Sequence, residues 1–60
     1  MKMNDWVMVR DNWIEADWML PRGKIVEIAY YKDSDQPMVY LLQFPNFKSQ
    51  WFHRIALKTQ

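Results

Sequence analysis

The sequence predicts an all-β domain, a small antiparallel barrel of five short strands with a long loop after the first strand. Runs rich in β-branched and aromatic residues alternate with clusters of turn residues, and no segment sustains the 3.6-residue period of an amphipathic helix. Sixty residues make a single domain, positions 1–60. A domain of this size buries only about 60% of the surface that its unfolded chain exposes. Because the chain has no cysteine, we expect its stability to come from packing, with oligomerisation as a supplement.

The first strand is predicted at Trp6–Arg10, where alternation places Val7 and Val9 in the core and Trp6 on the opposite face. Segment 11–22 has no period and is predicted to be a loop with room for one helical turn. Long loops in compact domains are ordered by their own side chains. The apolar side chains available for this are Trp13, Ile14, Trp18, Met19 and Leu20.

The second and third strands are predicted to form a hairpin. The second starts at Gly23, and the turn residues of segment 32–37 end it. The third, Met38–Phe44, is apolar on both sides, which is typical of a strand inside the sheet. The sequence alone does not determine which residues of the two strands lie opposite each other. Strict alternation along the second strand gives two faces, one with Val26, Ile28 and Tyr30 and one with Ile25, Glu27, Ala29 and Tyr31.

Two more strands complete the predicted sheet. Pro45-Asn46 breaks the third strand, and the fourth is predicted at Ser49–His53. Ile55–Leu57 can form a single turn before a short last strand.

Aromatic residues are the main clue to function, since the chain has four Trp, three Tyr and three Phe. Two adjacent pairs, Tyr30-Tyr31 and Trp51-Phe52, lie in predicted strands, so one member of each pair points away from the core. Our leading hypothesis is a non-enzymatic binding module whose exposed aromatic patch docks a protein segment or an identical subunit. The predicted partner-binding residues are Trp6, Trp13, Trp18, Tyr31, Trp51 and Phe52, with Trp51 and Phe52 as alternatives.

Charge supports a second hypothesis, nucleic-acid binding. Eight basic and seven acidic residues give a net charge of +1, which does not select a partner. After Phe47, however, every charged residue is basic. We therefore predict a modest C-terminal basic patch, with aromatic rings stacking on bases. The predicted phosphate contacts are Arg10, Lys48, Arg54 and Lys58.

No pattern indicates catalysis, a metal site or a cofactor. The single histidine, His53, has no identifiable acid–base or nucleophilic partner, and Asp33 and Asp35 belong to turn chemistry. We predict that the chain is not an enzyme; an oligomeric enzyme or scaffold with its site on a symmetry axis is a third alternative. Neither a signal peptide nor a membrane-spanning run is visible, so we expect no membrane association and a cytoplasmic location.

Four segments together resemble the SH3-like barrel shared by Tudor-type domains and the C-terminal domain of retroviral integrases. They are Asp5–Arg10, Gly23–Ile28, Tyr40–Phe44 and Trp51–Lys58. The integrase resemblance implies DNA contact through the four basic residues named above. The Tudor resemblance implies an aromatic cage for a methylated lysine or arginine. Its regions match Trp13 or Trp18, Tyr30 or Tyr31, and Phe44 or Phe47, but Pro45–Lys48 replaces the usual glycine-rich, acidic turn.

Overall fold

The computed structural model describes residues 1–59 and contains five strands and two 3₁₀ turns. The strands are β1 (Trp6–Val9), β2 (Arg22–Tyr30), β3 (Pro37–Gln43), β4 (Ser49–His53) and β5 (Leu57–Thr59). The 3₁₀ turns are Asp11–Trp13, in the long loop, and Arg54–Ala56, before β5. The all-β class, the five strands and the turn before the last strand are confirmed. None of the helical segments in residues 1–59 has the length and apolar character needed to cross a bilayer.

All strand pairs are antiparallel, and they form one sheet in the order β4-β3-β2-β1-β5. β4 and β5 are therefore its two edges, and no ladder joins them in the described part of the chain. The core lies on one side of this sheet. Its buried members are Val7, Val9, Met19, Ile25, Tyr40, Leu42, Phe44, Phe52, Ala56 and Leu57.

Alternation predicts β1 correctly: Val7 and Val9 are buried, and Trp6 points to the other side. The strand is held between β2 and β5, with Val7 opposite Gly23 and Val9 opposite Leu57. The two valines alternate with Trp6 and Met8, so both lie on the same face of the strand. The sequence pattern alone is therefore enough to identify the buried face of β1.

The predicted faces of β2 are wrong because the strand contains a β-bulge. Ile25 pairs with Leu42 and Glu27 pairs with Leu41, so Val26 is an extra residue without a partner. An extra residue shifts the alternation by one position. Ile25 and Ile28 consequently face the same side, towards the core, and Glu27 remains exposed.

The long loop is ordered by its own side chains, as predicted, except that Trp13 is exposed and takes no part. Met19 is buried, and four neighbours, Ile14, Ala16, Trp18 and Leu20, pack against the core. The N–H of Val9 donates to the carbonyl of Pro21 (2.8 Å), which fixes the end of the loop beside its start.

The two aromatic pairs behave differently from each other. Trp51 is exposed, whereas Phe52 is buried and meets the edge of the Phe44 ring at 6.2 Å between centroids. Phe52 is therefore a core residue, and its prediction as a partner-binding residue is wrong. Tyr30 and Tyr31 are both exposed. Placing one of them in the core is also wrong, because the β2–β3 hairpin extends past the last buried residues, Ile25 on β2 and Tyr40 on β3.

Candidate functional site

The side of the sheet turned away from the core, here called the outer face, carries the exposed strand residues. The pairing registers arrange them in rows across the strands. The rows are Lys58, Met8 and Arg22; Trp6, Lys24, Gln43 and Ser49; Glu27, Leu41 and Trp51; and Ala29, Val39 and His53. Two surfaces of different chemistry result.

The first surface is an apolar strip on β2, β3 and β4, formed by Ala29, Val39, Leu41 and Trp51. Leu41 lies directly opposite Trp51, and Val39 is two residues further along β3 on the same face. Trp51 is 43% exposed and the other three are half-buried. Directly opposite side chains in an antiparallel pair are within contact distance. The strip is therefore continuous and ends at the edge strand of the sheet.

The second surface is a basic cluster around Trp6, formed by Arg22, Lys24 and Lys58. The guanidinium of Arg22 lies 5.7 Å from the centroid of the Trp6 ring, a cation–π distance. Lys24 is the cross-strand neighbour of Trp6. Lys58 and Arg22 lie on either side of Met8. Three cations and one indole thus share one part of the outer face.

A cleft of about 330 Å³ borders the basic cluster. Its wall is mainly apolar, with Arg22 as the charged group. The lining residues are Met8, Leu20, Pro21, Arg22 and Pro45. A flat apolar group could enter this cleft while an attached anion stays near Arg22.

Sequence reasoning missed Arg22 and Lys24, which become important only once β1 and β2 are paired. A signal for them does exist: they flank Gly23 at alternate positions, so both must point away from the core when Gly23 points towards it.

The predicted aromatic residues do not form one patch. Trp6 belongs to the basic cluster and Trp51 to the apolar strip, whereas Tyr31 lies beyond the end of β2. Trp13 is exposed in the long loop. Trp18 has a structural environment: it is half-buried and meets the edge of Phe44 at 6.0 Å between ring centroids.

The three regions matched to a Tudor-type cage do not come together, because Trp18 contacts Phe44 but the tyrosines lie far from both. Tyr30 is at one end of β3, beside Pro37, and Phe44 follows its other end. Seven strand residues at about 3.3 Å each separate these ends by roughly 20 Å. Phe44 is moreover buried, and Phe47 is exposed in the β3–β4 turn.

The four predicted phosphate contacts also occupy separate places. Lys48 precedes β4 and Arg54 follows it, so they lie at opposite ends of that strand. The N–H of Arg10 donates to the carbonyl of Ala56 (2.8 Å), which puts Arg10 beside the turn that contains Arg54. Only Lys58 belongs to the basic cluster on the outer face.

His53 has a structural contact. Its Nδ1 accepts a hydrogen bond from the N–H of Ile55 (3.2 Å) and so caps the 3₁₀ turn that leads to β5. Within residues 1–59, no three His, Asp or Glu side chains come together as metal ligands would.

Comparison of the chain with protein-family models, with curated proteins and with solved structures finds no match in any of the three. The two surfaces of the outer face are therefore the basis of the functional proposal.

Proposed function

We propose that this chain is a non-enzymatic binding module of the SH3-like barrel class, which docks an extended protein segment or a second subunit on its apolar strip. The observation that carries the proposal is the direct pairing of Leu41 with Trp51, which makes a continuous apolar surface that reaches a sheet edge. The SH3-like class is part of the proposal, and the sheet of this chain stays open between β4 and β5 within residues 1–59. The class assignment rests on the chain's arrangement of elements. It is supported by the five antiparallel strands, the long loop after β1 and the 3₁₀ turn before β5.

The composition of the strip supports protein docking. Trp is enriched at the centres of protein interfaces because it contributes a large desolvated area with few rotatable bonds. Val39 and Leu41 extend that area without adding a charge, and the polar groups of Glu27 and His53 stand at its borders. An apolar centre with a polar rim is the usual composition of an interface.

The test compares Trp51→Ala with Trp6→Ala, a matched control because Trp6 is 46% and Trp51 43% exposed on the same face. Each tagged protein is incubated with the native lysate, with and without nuclease, and retained proteins are identified by mass spectrometry. We expect one set of proteins to be retained by the parent chain and by Trp6→Ala, lost with Trp51→Ala, and unaffected by nuclease.

Circular dichroism and urea unfolding would establish that both variants are folded. Equal retention by a folded Trp51→Ala protein would contradict the proposal. Loss of every partner after nuclease treatment would favour the second candidate function.

That second candidate is binding of single-stranded nucleic acid at the basic cluster. Arg22, Lys24 and Lys58 can meet phosphates while Trp6 stacks on a base, and the adjoining cleft can hold another. Neutralising about three phosphates gives a log K versus log salt slope of roughly −2 for a single strand.

Fluorescence anisotropy with single- and double-stranded oligonucleotides at low ionic strength tests this candidate. Lys24→Gln and Lys58→Gln should each weaken binding, whereas Lys32→Gln, in the exposed β2–β3 turn, should not. Absence of binding at low salt, where counterion release is strongest, would remove nucleic acid as a ligand.

A further inference from the structure

The free edge of β4 has the features of a pairing surface. β4 is an edge strand: β3 pairs with one of its sides, and no strand within residues 1–59 pairs with the other. Among residues 1–59, no backbone hydrogen bond outside the strand ladders involves Ser49, Trp51 or His53, and all three residues are exposed. An edge of this kind can accept another strand.

The ladder shows which backbone groups point outwards. The N–H of Phe44 donates to the carbonyl of Lys48 (2.8 Å), so these two residues form a hydrogen-bonded pair. Hydrogen-bonded and non-hydrogen-bonded pairs alternate along an antiparallel ladder. Gln50 and Phe52 therefore bond to β3, and the N–H and C=O groups of Ser49, Trp51 and His53 point away from it.

β4 also lacks the usual protection against strand pairing. Proteins guard exposed edges with charged residues, proline, bulges or very short strands. The sequence of β4, Ser-Gln-Trp-Phe-His, has no charged residue when His53 is neutral and no proline, and it pairs regularly over five residues. The other edge, β5, has three residues and presents Lys58.

Two further exposed apolar residues lie at equal sequence distances from Trp51, one on each side of β4. Phe47 precedes Trp51 by four residues and is 85% exposed, and Ile55 follows it by four residues and is 63% exposed. A two-fold axis at Trp51 would bring Phe47 of one copy near Ile55 of the other. We propose that two copies of the chain associate through antiparallel β4 strands, with Trp51 opposite Trp51, a conclusion that rests on the proposed function and names its partner.

The size of the contact sets the expected affinity. Since a whole aromatic side chain offers about 150–250 Å², Phe47, Trp51 and Ile55 together expose on the order of 400 Å². A standard interface buries about 800 Å² per partner. The apolar area is about half of that, and the rest of the contact would be strand backbone and polar side chains. We therefore expect a weak dimer with micromolar dissociation.

Charge predicts how this association responds to salt. Antiparallel pairing brings Lys48 of one copy towards Arg54 of the other at both ends of the strand pair. Both residues are exposed, and salt screens repulsion between exposed charges. Added salt should therefore tighten the dimer, whereas it would weaken nucleic-acid binding.

Sedimentation equilibrium from about 1 μM to about 1 mM covers the expected range. We expect reversible dimerisation of the parent chain, at least tenfold weaker association of Trp51→Lys, and no change for Trp6→Lys. Phe47→Gly should also weaken association while the domain remains folded, because Phe47 has a left-handed backbone (φ 68°) that glycine adopts without strain. A parent chain that stays monomeric throughout would overturn the proposal.

Cross-linking tests the register directly, because the chain has no native cysteine. In the proposed dimer Ser49 lies opposite His53 of the second copy, at about 5.5 Å between Cα atoms for a hydrogen-bonded pair, which a disulfide can span. Two Ser49 residues would be about 14 Å apart. An equimolar mixture of Ser49→Cys and His53→Cys proteins should form a disulfide-linked heterodimer, and neither protein alone should cross-link.

Cross-linking no greater in the mixture than in the single proteins would exclude this register. Failure of the dimer is also distinguishable from failure of the proposed function. A monomeric chain that still retains another protein in a Trp51-dependent manner would exclude the second copy as partner and leave the apolar strip as a docking site. A chain that shows neither dimer nor Trp51-dependent partner would contradict both.

Discussion

Gly23 is buried in β2, next to the end of β3. A Cβ at this position would lie 3.2 Å from the carbonyl oxygen of Gln43, 3.2 Å from Cδ1 of Phe44 and 3.3 Å from Cδ2 of Leu42. The side-chain atoms can shift by a few tenths of an ångström, but the carbonyl belongs to the β3 backbone. The single glycine of the chain is thus explained by close approach, and its φ is not in the left-handed region.

We predict that Gly23→Ala lowers the free energy of unfolding by about 1–3 kcal/mol, the usual cost of overpacking a core. For a domain of this size that corresponds to roughly 4–8 °C in Tm per kcal/mol. Urea unfolding of the two proteins measures it. Unchanged or increased stability of Gly23→Ala would mean that the strands separate without cost and that close approach does not explain the glycine.

At the scale of elements, the long loop is fastened to the β3–β4 turn by one side chain. Asn46 Nδ2 donates to the carbonyl of Trp18 (2.9 Å), and Asn46 Oδ1 accepts from the N–H of Lys48 (3.2 Å). The Lys48 ammonium lies 5.9 Å from the centroid of the Trp18 ring, which adds a second contact between the turn and the loop. Trp18 in turn packs against Phe44, so loop, turn and core are connected.

We predict that Asn46→Ala lowers the free energy of unfolding by about 1 kcal/mol and speeds amide exchange and proteolysis in segment 11–21. Asn46→Asp should behave similarly, because it keeps the acceptor for Lys48 but places a carboxylate oxygen against the Trp18 carbonyl. Asn12→Ala, at an exposed position in the same loop, is the control. Equal exchange rates in Asn46→Ala and the control would show that the loop is held by its apolar side chains alone.

How far the sequence predicts each element depends on where the decisive contacts lie. β1 and the turn before β5 follow from local pattern. The bulge in β2 does not follow from local pattern. Val26 is an extra residue only because its two neighbours, Ile25 and Glu27, pair with consecutive residues of β3. The exposure of both Tyr30 and Tyr31 depends on where the core ends along the hairpin, which is again set by the partner strand.

The candidate site likewise contains residues that local pattern predicts and residues that only strand pairing brings together. Trp6 is correctly predicted to be exposed, because it alternates with two buried valines. For the Trp51-Phe52 pair, the sequence predicts that one member leaves the core but not that this member is Trp51. The basic cluster could not be assembled from chain order, because Arg22 and Lys24 meet Lys58 only through β1.

At the scale of the whole molecule, stability and association should be coupled. A sixty-residue domain without disulfides has a small stability margin. Any partner that binds only the folded state adds to that margin by mass action. A β4-mediated dimer would therefore contribute to folding as well as to recognition.

We predict that the Tm of the parent chain rises by several degrees over about a hundredfold increase in protein concentration. The Tm of Trp51→Lys should not change with concentration, and Trp6→Lys should behave like the parent. Calorimetry at matched ionic strength measures all three proteins. A parent Tm that is independent of concentration would argue against any association of folded chains in that range.

The bulge at Val26 also has a consequence for how this chain can vary in length. Glu27 would lie on the buried side if alternation from Ile25 were strict, and only the additional residue keeps its carboxylate in water. Deleting Val26 would leave Ile25, Glu27 and Ile28 in regular alternation with their present orientations. Deleting Ile28 instead would send the residues beyond it to the wrong side. Natural insertions and deletions in β2 should therefore concentrate at position 26.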